Sequence, residues 1–287
     1  MKTYRQIIRD FENQLAEDDR NSNVVKVLLY HLLKIEPHEL YLKIEEVMPQ
    51  NIIDKLQEKI DLYLQGIPVQ YINGYETFFG REFNVNNNVL IPRYETEELV
   101  EQILYRIDDY FEDKSVVDLV DVGTGCGAIA ISLDLEEPKT NVYATDISDL
   151  ALDTAKNNSN KLDAKVKFIQ GDMLQPLIDH KLTFDFFVSN PPYIPKEQTI
   201  ENVVKDHEPH VALFGGDDGL YFYREIFKRV KLLLKDKAIL AFEIGYDQKE
   251  SITEEVKIYF PGNDYEIIKD MNGKDRMLFI YHNIIKK

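Results

Sequence analysis

A regular alternation of short apolar runs and helical patterns limits the fold of this chain more than any other feature. It begins near Arg93 and continues to the end of the sequence. It predicts strands at residues 116–121, 141–146, 165–170, 184–189, 238–244, 265–269 and 276–281. Asn272-Gly273 joins the last two through a tight turn, which makes them antiparallel neighbours. The pattern predicts an α/β fold with a doubly wound, mostly parallel sheet of seven strands.

Residues 1–75 follow a different pattern, with apolar side chains at helical spacing and no strand signal. Glycine is absent before Gly66, which closes the last predicted helix. Further on, short β-rich runs lie on either side of Gly80, as in a hairpin. We therefore expect a small helical bundle domain over residues 1–75, a bridging β-hairpin over 76–92 and the α/β domain over 93–287.

The composition argues against two classes of protein. The sequence has 287 residues, with 51 acidic against 34 basic side chains and a net charge of −17. A protein that grips duplex nucleic acid through its phosphates needs the opposite sign. No apolar stretch reaches the ~20 residues of a membrane span, and the single cysteine, Cys126, excludes an internal disulfide. We expect a monomeric, cytoplasmic protein that binds no nucleic acid directly.

A glycine-rich loop follows the first predicted strand and comprises Gly123, Thr124, Gly125, Cys126 and Gly127. Glycines at such a position permit a tight turn and let a ligand approach the backbone. Asp146 ends the next strand, where a carboxylate can accept hydrogen bonds from ribose hydroxyls. This arrangement serves both dinucleotides and S-adenosylmethionine, and the loop alone leaves the two cofactors open. Asp172 and Met173 follow the third strand and either border an adenine ring or form an ordinary turn.

The sequence Asn190-Pro191-Pro192-Tyr193 follows the fourth predicted strand. Two prolines end the strand ladder and fix the backbone as it leaves the sheet. The Asn190 amide and the Pro191 carbonyl then offer two acceptors to a planar –NH2 group. The alternative is a proline-rich turn with no role beyond ending the strand. Because ligands of open α/β sheets bind at this edge, we favour a binding site.

The two acceptors suit methyl transfer to an amide or aromatic amine. The lone pair of such a nitrogen is delocalised, and acceptors on its N–H bonds would draw it out of that planar state. They would also hold the nitrogen at a near-attack distance of about 3–3.5 Å from the methyl carbon. The Tyr193 ring could stack on the planar group. Hydride transfer has no need of this motif, which therefore favours S-adenosylmethionine over a dinucleotide.

The ordered set of motifs resembles the release factor glutamine methyltransferases, which methylate the glutamine side chain in the Gly-Gly-Gln loop of peptide-chain release factors. The matching segments run across nearly the whole chain, at residues 68–74, 83–85, 89–97, 123–127, 190–194, 208–213, 216–220 and 243–248. The resemblance implies a class I methyltransferase (Rossmann-like) sheet, and a helical N-terminal domain that contacts the release factor.

The resemblance also implies roles for individual residues. Residues 123–127 would wrap the methionine part of S-adenosylmethionine, and Asp146 would hold its ribose. Asn190 and Pro191 would bind the glutamine amide as catalytic groups. Pro192 would lie beside it, and Tyr193, the third catalytic group, would pack against it. Asn190 would also contact the cofactor.

Two positions depart from the family pattern. Met173 stands where the family often has an aromatic residue beside the adenine, commonly tryptophan. Tyr94 stands where the family usually has proline, between Arg93 and Glu95. We expect a local change in the loop before Thr96, with Thr96 still near the cofactor.

Three other candidates are not assigned a catalytic role from the sequence. His207-Glu208-Pro209-His210 fits no common zinc spacing, so we expect a structured loop and no metal. Cys126 has no activating partner in sequence and is interpreted as a small residue beside the cofactor. Glu243 ends the fifth predicted strand at the ligand edge, and the sequence assigns it no role.

Three alternatives remain at this point. The same chemistry could act on a glutamine of a ribosomal protein, or on adenine N6 in nucleic acid, although the acidity of the chain argues against the latter. A non-enzymatic translation-factor binding module is the third, and the intact glycine loop, Asp146 and Asn190 argue against it.

Overall fold

The computed structural model describes residues 2–199 and 202–286. The chain divides into two compact units, which are described separately. One comprises Met1–Tyr75 with Asn202–His207, and the other comprises Glu76–Glu201 with Glu208–Lys287.

The first unit is helical. Its helices are α1 (Tyr4–Glu17), α2 (Val24–Leu33), α3 (Pro37–Lys43), α4 (Gln50–Leu64), α5 (Val69–Asn73) and α10 (Asn202–His207). The apolar residues at helical spacing in α1, α2 and α4 form one buried cluster, with Leu15, Leu28 and Leu56 fully enclosed. Helix α5 was not predicted, because Pro68 reads as a stop signal in the sequence while it caps a new short helix in the structure.

A two-stranded hairpin, β1 (Tyr75–Phe78) and β2 (Arg81–Asn84), follows α5. Phe79 and Gly80 form its turn and both have positive φ, at 49° and 72°. Positive φ at both central residues is the geometry whose twist matches that of paired strands. The Phe79 N–H donates to the Glu97 carboxylate at 3.0 Å, which helps to hold a bulky residue in this conformation.

The rest of the second unit alternates strands and helices. The strands are β3 (Val117–Val122), β4 (Thr140–Asp146), β5 (Lys167–Gln170), β6 (Phe184–Ser189), β7 (Leu234–Glu243), β8 (Asp264–Lys269) and β9 (Asp275–His282). The helices are α6 (Tyr94–Phe111), α7 (Ala128–Glu136), α8 (Asp149–Lys161), α9 (Gln175–Asp179), α11 (Tyr221–Arg229) and α12 (Lys249–Tyr259). The strand order is β5-β4-β3-β6-β7-β9-β8, with β9 antiparallel to both of its neighbours. The predicted doubly wound, seven-stranded sheet is confirmed.

The order of the strands reverses between β3 and β6, which are parallel neighbours. Ligands of open α/β sheets bind at the carboxyl end of such a reversal. The Ser189 hydroxyl donates to the Val122 carbonyl at 2.6 Å and ties the ends of the two strands together. The glycine loop after β3 and Asn190 after β6 therefore leave the sheet side by side.

Strand β7 begins four residues before the predicted start at residue 238. Three of its first four residues are charged, at positions 235–237, so this part of the strand is not an apolar run. Lys235 lies in this segment and contacts Asp118 and the fully buried Asp185, the latter at 2.8 Å. Lys114 contacts Asp185 as well. A charged side chain is tolerated at this end of the sheet because partners of opposite charge meet it there. Within the described residues no helix is long and apolar enough to cross a membrane.

Candidate active site

A cleft opens at the carboxyl ends of β3, β4, β5 and β6. Eight predicted site residues line it: Gly123, Gly125, Asp146, Asp172, Met173, Asn190, Pro191 and Pro192. Asn88, Val89 and Leu90, from the segment after the hairpin, line it too. Val211, Ala212 and the α11 residues Phe222 and Ile226 also contribute. The segment after the hairpin was not predicted to take part, because nothing in its local pattern shows that it folds over the sheet edge.

The glycine loop presents bare backbone to this cleft. Gly123 and Gly125 have φ of +79° and +58°, and a Cβ at either would meet nothing within 4 Å. Gly127 has φ of +86°, and a Cβ there would meet Ile131 at 2.8 Å and Ala155 at 3.2 Å. The first two glycines therefore leave room for a ligand against the backbone, while the third permits close packing between α7 and α8.

Asp146 closes the loop from the neighbouring strand. Its carboxylate accepts hydrogen bonds from the N–H groups of Gly125 and Ser148, both at 2.9 Å. Burial raises the pKa of Asp146, and these backbone donors act in the opposite direction. Each carboxylate oxygen uses one lone pair in this way and keeps another. Asp146 can therefore accept further bonds from ribose hydroxyls without losing its hold on the loop.

Asp121 is a buried residue just before the glycine loop whose role sequence reasoning missed; it is not among the residues that line the cleft. It is fully buried, and its Oδ2 accepts a hydrogen bond from the Thr124 hydroxyl at 2.6 Å. Its Oδ1 has no hydrogen-bond partner among the described residues. Burial raises the pKa of Asp121 to about 7. A buried carboxylate oxygen without a partner is costly, and a cationic ligand group would relieve that cost. Strand β3 carries two acidic residues, Asp118 and Asp121, so the signal in the sequence was the position of Asp121, two residues before the first glycine of the loop.

The Asn190 side chain is joined to two residues far away in sequence. Its Nδ2 donates to the Thr96 hydroxyl at 3.4 Å. Thr96 in turn donates to Glu243 Oε2 at 2.6 Å, and the Tyr193 hydroxyl donates to Glu243 Oε1 at 3.3 Å. Burial raises the pKa of Tyr193 beyond its ordinary value, so its phenol stays a neutral donor. The buried Glu243 carboxylate therefore anchors the Asn190–Tyr193 loop through the Thr96 and Tyr193 hydroxyls.

The backbone of the same loop is clamped by close approaches. Gln248 Nε2 donates to the Tyr193 carbonyl at 3.0 Å and to the Gly219 carbonyl at 3.2 Å. Ile194 exchanges backbone hydrogen bonds with the segment at residues 213–215. A Cβ on Gly215 would meet the backbone of Pro192 and Tyr193. These contacts fix the backbone at residues 192–194, directly after Asn190 and Pro191.

Five predicted site residues do not line the cleft: Thr96, Thr124, Cys126, Gly127 and Tyr193. Thr96 and Thr124 are buried and act on Asn190 and Asp121 through the hydrogen bonds described above. Cys126 is 3% exposed, and burial raises the pKa of its thiol to about 12. It cannot supply a thiolate nucleophile at neutral pH. The Tyr193 ring packs against the core cluster of the sheet.

The predicted metal-like segment at residues 207–210 begins at the end of α10 and has a structural role through Glu208. Glu208 is 4% exposed, and its carboxylate pairs with the Arg93 guanidinium and accepts the Ile91 N–H at 3.3 Å. It thereby anchors the residues that lead into α6, just before Thr96.

A sheet of this strand order, with a glycine loop and an acidic residue after its first two strands and Asn-Pro-Pro-Tyr after the fourth, defines a class I S-adenosylmethionine-dependent methyltransferase. Comparison with known proteins supports the class. Residues 103–207 match the methyltransferase small domain, and residues 6–74 match the PrmC N-terminal domain. The crystal structure of a methyltransferase from Pyrococcus furiosus shares the fold, with a TM-score of 0.52 at 16% identity, over 82% of this chain and 100% of that one.

Sequence relatives narrow the class to one family. A release factor glutamine methyltransferase of Bacillus cereus is 43% identical over 92% of this chain and 94% of its own length. Another, of Bacillus subtilis, is 40% identical over 97% of each chain. The chain belongs to the release factor glutamine methyltransferase family, which confirms the resemblance inferred from the motifs.

Proposed function

We infer that the protein transfers the methyl group of S-adenosylmethionine to the side-chain amide nitrogen of the glutamine in the Gly-Gly-Gln motif of peptide-chain release factors. The observation that carries this inference is the placement of Asn190 and Pro191 beside the glycine loop, in a chain of this family. A carboxamide oxygen and a backbone carbonyl at that point are a matched acceptor pair for one primary amide.

The residues of the cleft fit S-adenosylmethionine. The bare backbone of Gly123 and Gly125 leaves room for its methionine part, and Asp121, buried just before that loop with an unpartnered Oδ1, is proposed to attract its ammonium group. The spare lone pairs of Asp146 suit the ribose hydroxyls. Asp172 and Met173 line the same cleft and are proposed to border the adenine. When bound, the cofactor supplies an electrophilic methyl group on a sulfonium.

The protein's own groups then prepare the amide nitrogen. Asn190 Oδ1 and the Pro191 carbonyl accept the two N–H bonds of the glutamine amide, and so orient its lone pair and weaken its delocalisation. No strong base is required beforehand, because the nitrogen would become cationic and strongly acidic as the bond from the methyl group to sulfur breaks, and would then release one proton to solvent while a neutral thioether is left behind. Pro191 is buried and Pro192 half-buried, so the two rings give this edge of the cleft an apolar wall. The Tyr193 ring, anchored through its hydroxyl to Glu243, is proposed to border the amide.

Asp146→Ala should weaken cofactor binding by about 10- to 100-fold, since it removes hydrogen bonds between a charged acceptor and the ligand worth about 1.5–3 kcal/mol. Calorimetric titration with S-adenosylmethionine measures this. Asp153→Ala, at an exposed position on α8, is the control and should bind normally. An unaltered dissociation constant for Asp146→Ala would discredit the ribose assignment.

Cofactor affinity should depend on pH through Asp121. Its pKa in the folded protein is raised to about 7, and only the ionised form pairs with an ammonium group. Affinity is therefore highest above pH 7 and is lost as the pH falls through 7, by about 25-fold between pH 7.5 and 5.5 for a single titrating group. Calorimetry across this range tests it. Asp121→Asn should bind weakly and without this pH dependence; a variant that kept the dependence would assign it to another group.

The family activity is tested with purified release factor and cofactor carrying a labelled methyl group. We expect one methyl group on the Gly-Gly-Gln glutamine, located by mass spectrometry of the digested product. Label on a ribosomal-protein glutamine or on adenine in DNA, with none on the release factor, would reverse the assignment. Absence of cofactor binding would favour the non-enzymatic module.

We further propose how the parts of the chain divide the work. Residues 1–75 form the domain that contacts the body of the release factor. Residues 76–92 connect this domain to residues 93–287, which bind the cofactor and catalyse methyl transfer. The match of residues 6–74 to the PrmC N-terminal domain supports a separate role for that part. The net charge of −17 supports a protein substrate over nucleic acid. We propose that the protein is a monomer. We also propose that it is located in the cytoplasm, where release factors are available.

A further inference from the structure

We propose that Glu243 is a positioning residue, which acts through Thr96 to fix which end of the Asn190 carboxamide is offered to the substrate. The proposal deepens the proposed function and rests on it, because it concerns the same acceptor pair. Glu243 has no assigned role, and three elements meet at its side chain: β7, the first turn of α6, and the loop after β6.

Hydroxyl groups surround Glu243. It is 2% exposed, and its two carboxylate oxygens accept from Thr96 at 2.6 Å and from Tyr193 at 3.3 Å. Its backbone carbonyl accepts from the Tyr223 hydroxyl at 2.6 Å. The nearby Arg276 guanidinium donates instead to the Ile244 carbonyl at 3.3 Å and to Asp270 at 3.4 Å. The carboxylate is therefore held by hydroxyl donors, with Arg276 acting at longer range.

This arrangement gives the hydrogen-bond chain a direction. An ionised carboxylate can only accept, so the single proton of the Thr96 hydroxyl must point to Glu243. The Thr96 oxygen can then only accept from its other neighbour. Asn190 Nδ2 donates to it at 3.4 Å, which leaves Oδ1 as the free end of the carboxamide. The glutamine substrate presents N–H donors, and an acceptor is the end that it needs.

A neutral residue would hold the same shape but would not impose this direction. A glutamine at position 243 could accept from Thr96 or donate to it. If it donated, the Thr96 proton would be free to point at Asn190, whose carboxamide would turn its oxygen toward Thr96 and its N–H groups toward the substrate. Two facing sets of N–H donors cannot pair. A purely structural Glu243 would not predict this loss, since a glutamine makes as many hydrogen bonds without burying a charge.

Protonation of Glu243 should have the same effect as the glutamine. Burial raises the pKa of Glu243 above its ordinary value, and Glu95 on α6 adds to this. The Thr96 and Tyr193 hydroxyls and the Arg276 guanidinium act in the opposite direction. Because the ionised form is the active one, kcat should fall as the pH falls through this raised pKa. Saturating cofactor separates this effect from that of Asp121.

The test compares Thr96→Val, Thr96→Ser and Glu243→Gln. A thermal melt checks that each variant is folded, and titration with S-adenosylmethionine measures its cofactor dissociation constant. Thr96→Val has nearly the same volume as threonine but no hydroxyl. We expect Thr96→Val and Glu243→Gln to lower kcat by about 10- to 100-fold, as for groups that orient a ligand from behind, with little change in the cofactor dissociation constant. Thr96→Ser should recover most of the kcat lost in Thr96→Val. The acid limb of kcat should vanish in Glu243→Gln.

A second measurement needs no substrate. In protein labelled with ¹⁵N-asparagine, the Asn190 side-chain amide signals, identified by their loss in Asn190→Ala, should shift with pH in step with Glu243. Thr96→Val should abolish that shift. If the signals titrate but no release factor is methylated, the proposed function fails and the positioning role stands. If methylation occurs while Thr96→Val and Thr96→Ser have equal kcat, or Glu243→Gln keeps full kcat and its acid limb, the positioning role is wrong.

Discussion

Asn190→Ala is expected to lower kcat by about 10²–10³-fold, the usual cost of removing one preorganised hydrogen-bonding group from a reacting centre. The amide nitrogen would keep the Pro191 carbonyl but lose the second acceptor, so its lone pair would stay delocalised and poorly aimed. The cofactor dissociation constant should change far less, because the loop is clamped independently by Gln248 and by the Ile194 backbone. Single-turnover methylation of release factor, with calorimetry of cofactor binding, measures both quantities.

A matched variant separates this effect from a general loss of an asparagine. Asn160 lies exposed on α8, and Asn160→Ala should leave kcat and cofactor binding as they are. Equal losses of kcat and cofactor affinity in Asn190→Ala would mean that Asn190 is mainly a cofactor ligand. A normal kcat would remove the acceptor pair from the mechanism, and with it the inference about Glu243.

The strands were predictable where local chemistry decides their ends. Strand β6 has the predicted bounds, because its six residues are all buried and two prolines follow Asn190. The register of β3 beside β6 then brought the glycine loop and Asn190 to one cleft, as expected for an open parallel sheet. The start of β7 was not predicted, because residues 235–237 are charged. The partners that stabilise Lys235, Asp118 and Asp185, lie on other strands.

The parts of the site that sequence did not predict depend on pairs distant along the chain. Thr96 and Glu243 are 147 residues apart, and Arg93 and Glu208 are 115 apart. A local pattern shows each member as an ordinary polar residue, and only the folded sheet edge brings them into contact. The sequence shows Asp121 as one of two acids in β3, but its unpartnered oxygen is a property of the packed structure.

Gly219→Ala is expected to destabilise the protein by about 2–5 kcal/mol, from about 1–2 kcal/mol of backbone strain and about 1–3 kcal/mol for the steric clash. Gly219 has φ of +76°, which an alanine adopts only with strain, and a Cβ there would meet the Tyr193 carbonyl and Gln248 Nε2. Since Gln248 clamps that carbonyl, relief of the clash must move the loop that carries Asn190. We therefore expect kcat to fall together with stability.

Gly262→Ala is the control that separates backbone strain from the steric clash. Gly262 has φ of +80°, but a Cβ there would meet nothing within 4 Å. The two variants thus share the backbone strain, of about 1–2 kcal/mol per residue, and differ in the clash. Urea denaturation should place Gly262→Ala between the unsubstituted protein and Gly219→Ala, with only the latter losing kcat. If both lose the same stability and both keep kcat, the loop tolerates displacement, and rigid presentation of the two acceptors cannot be what drives the reaction.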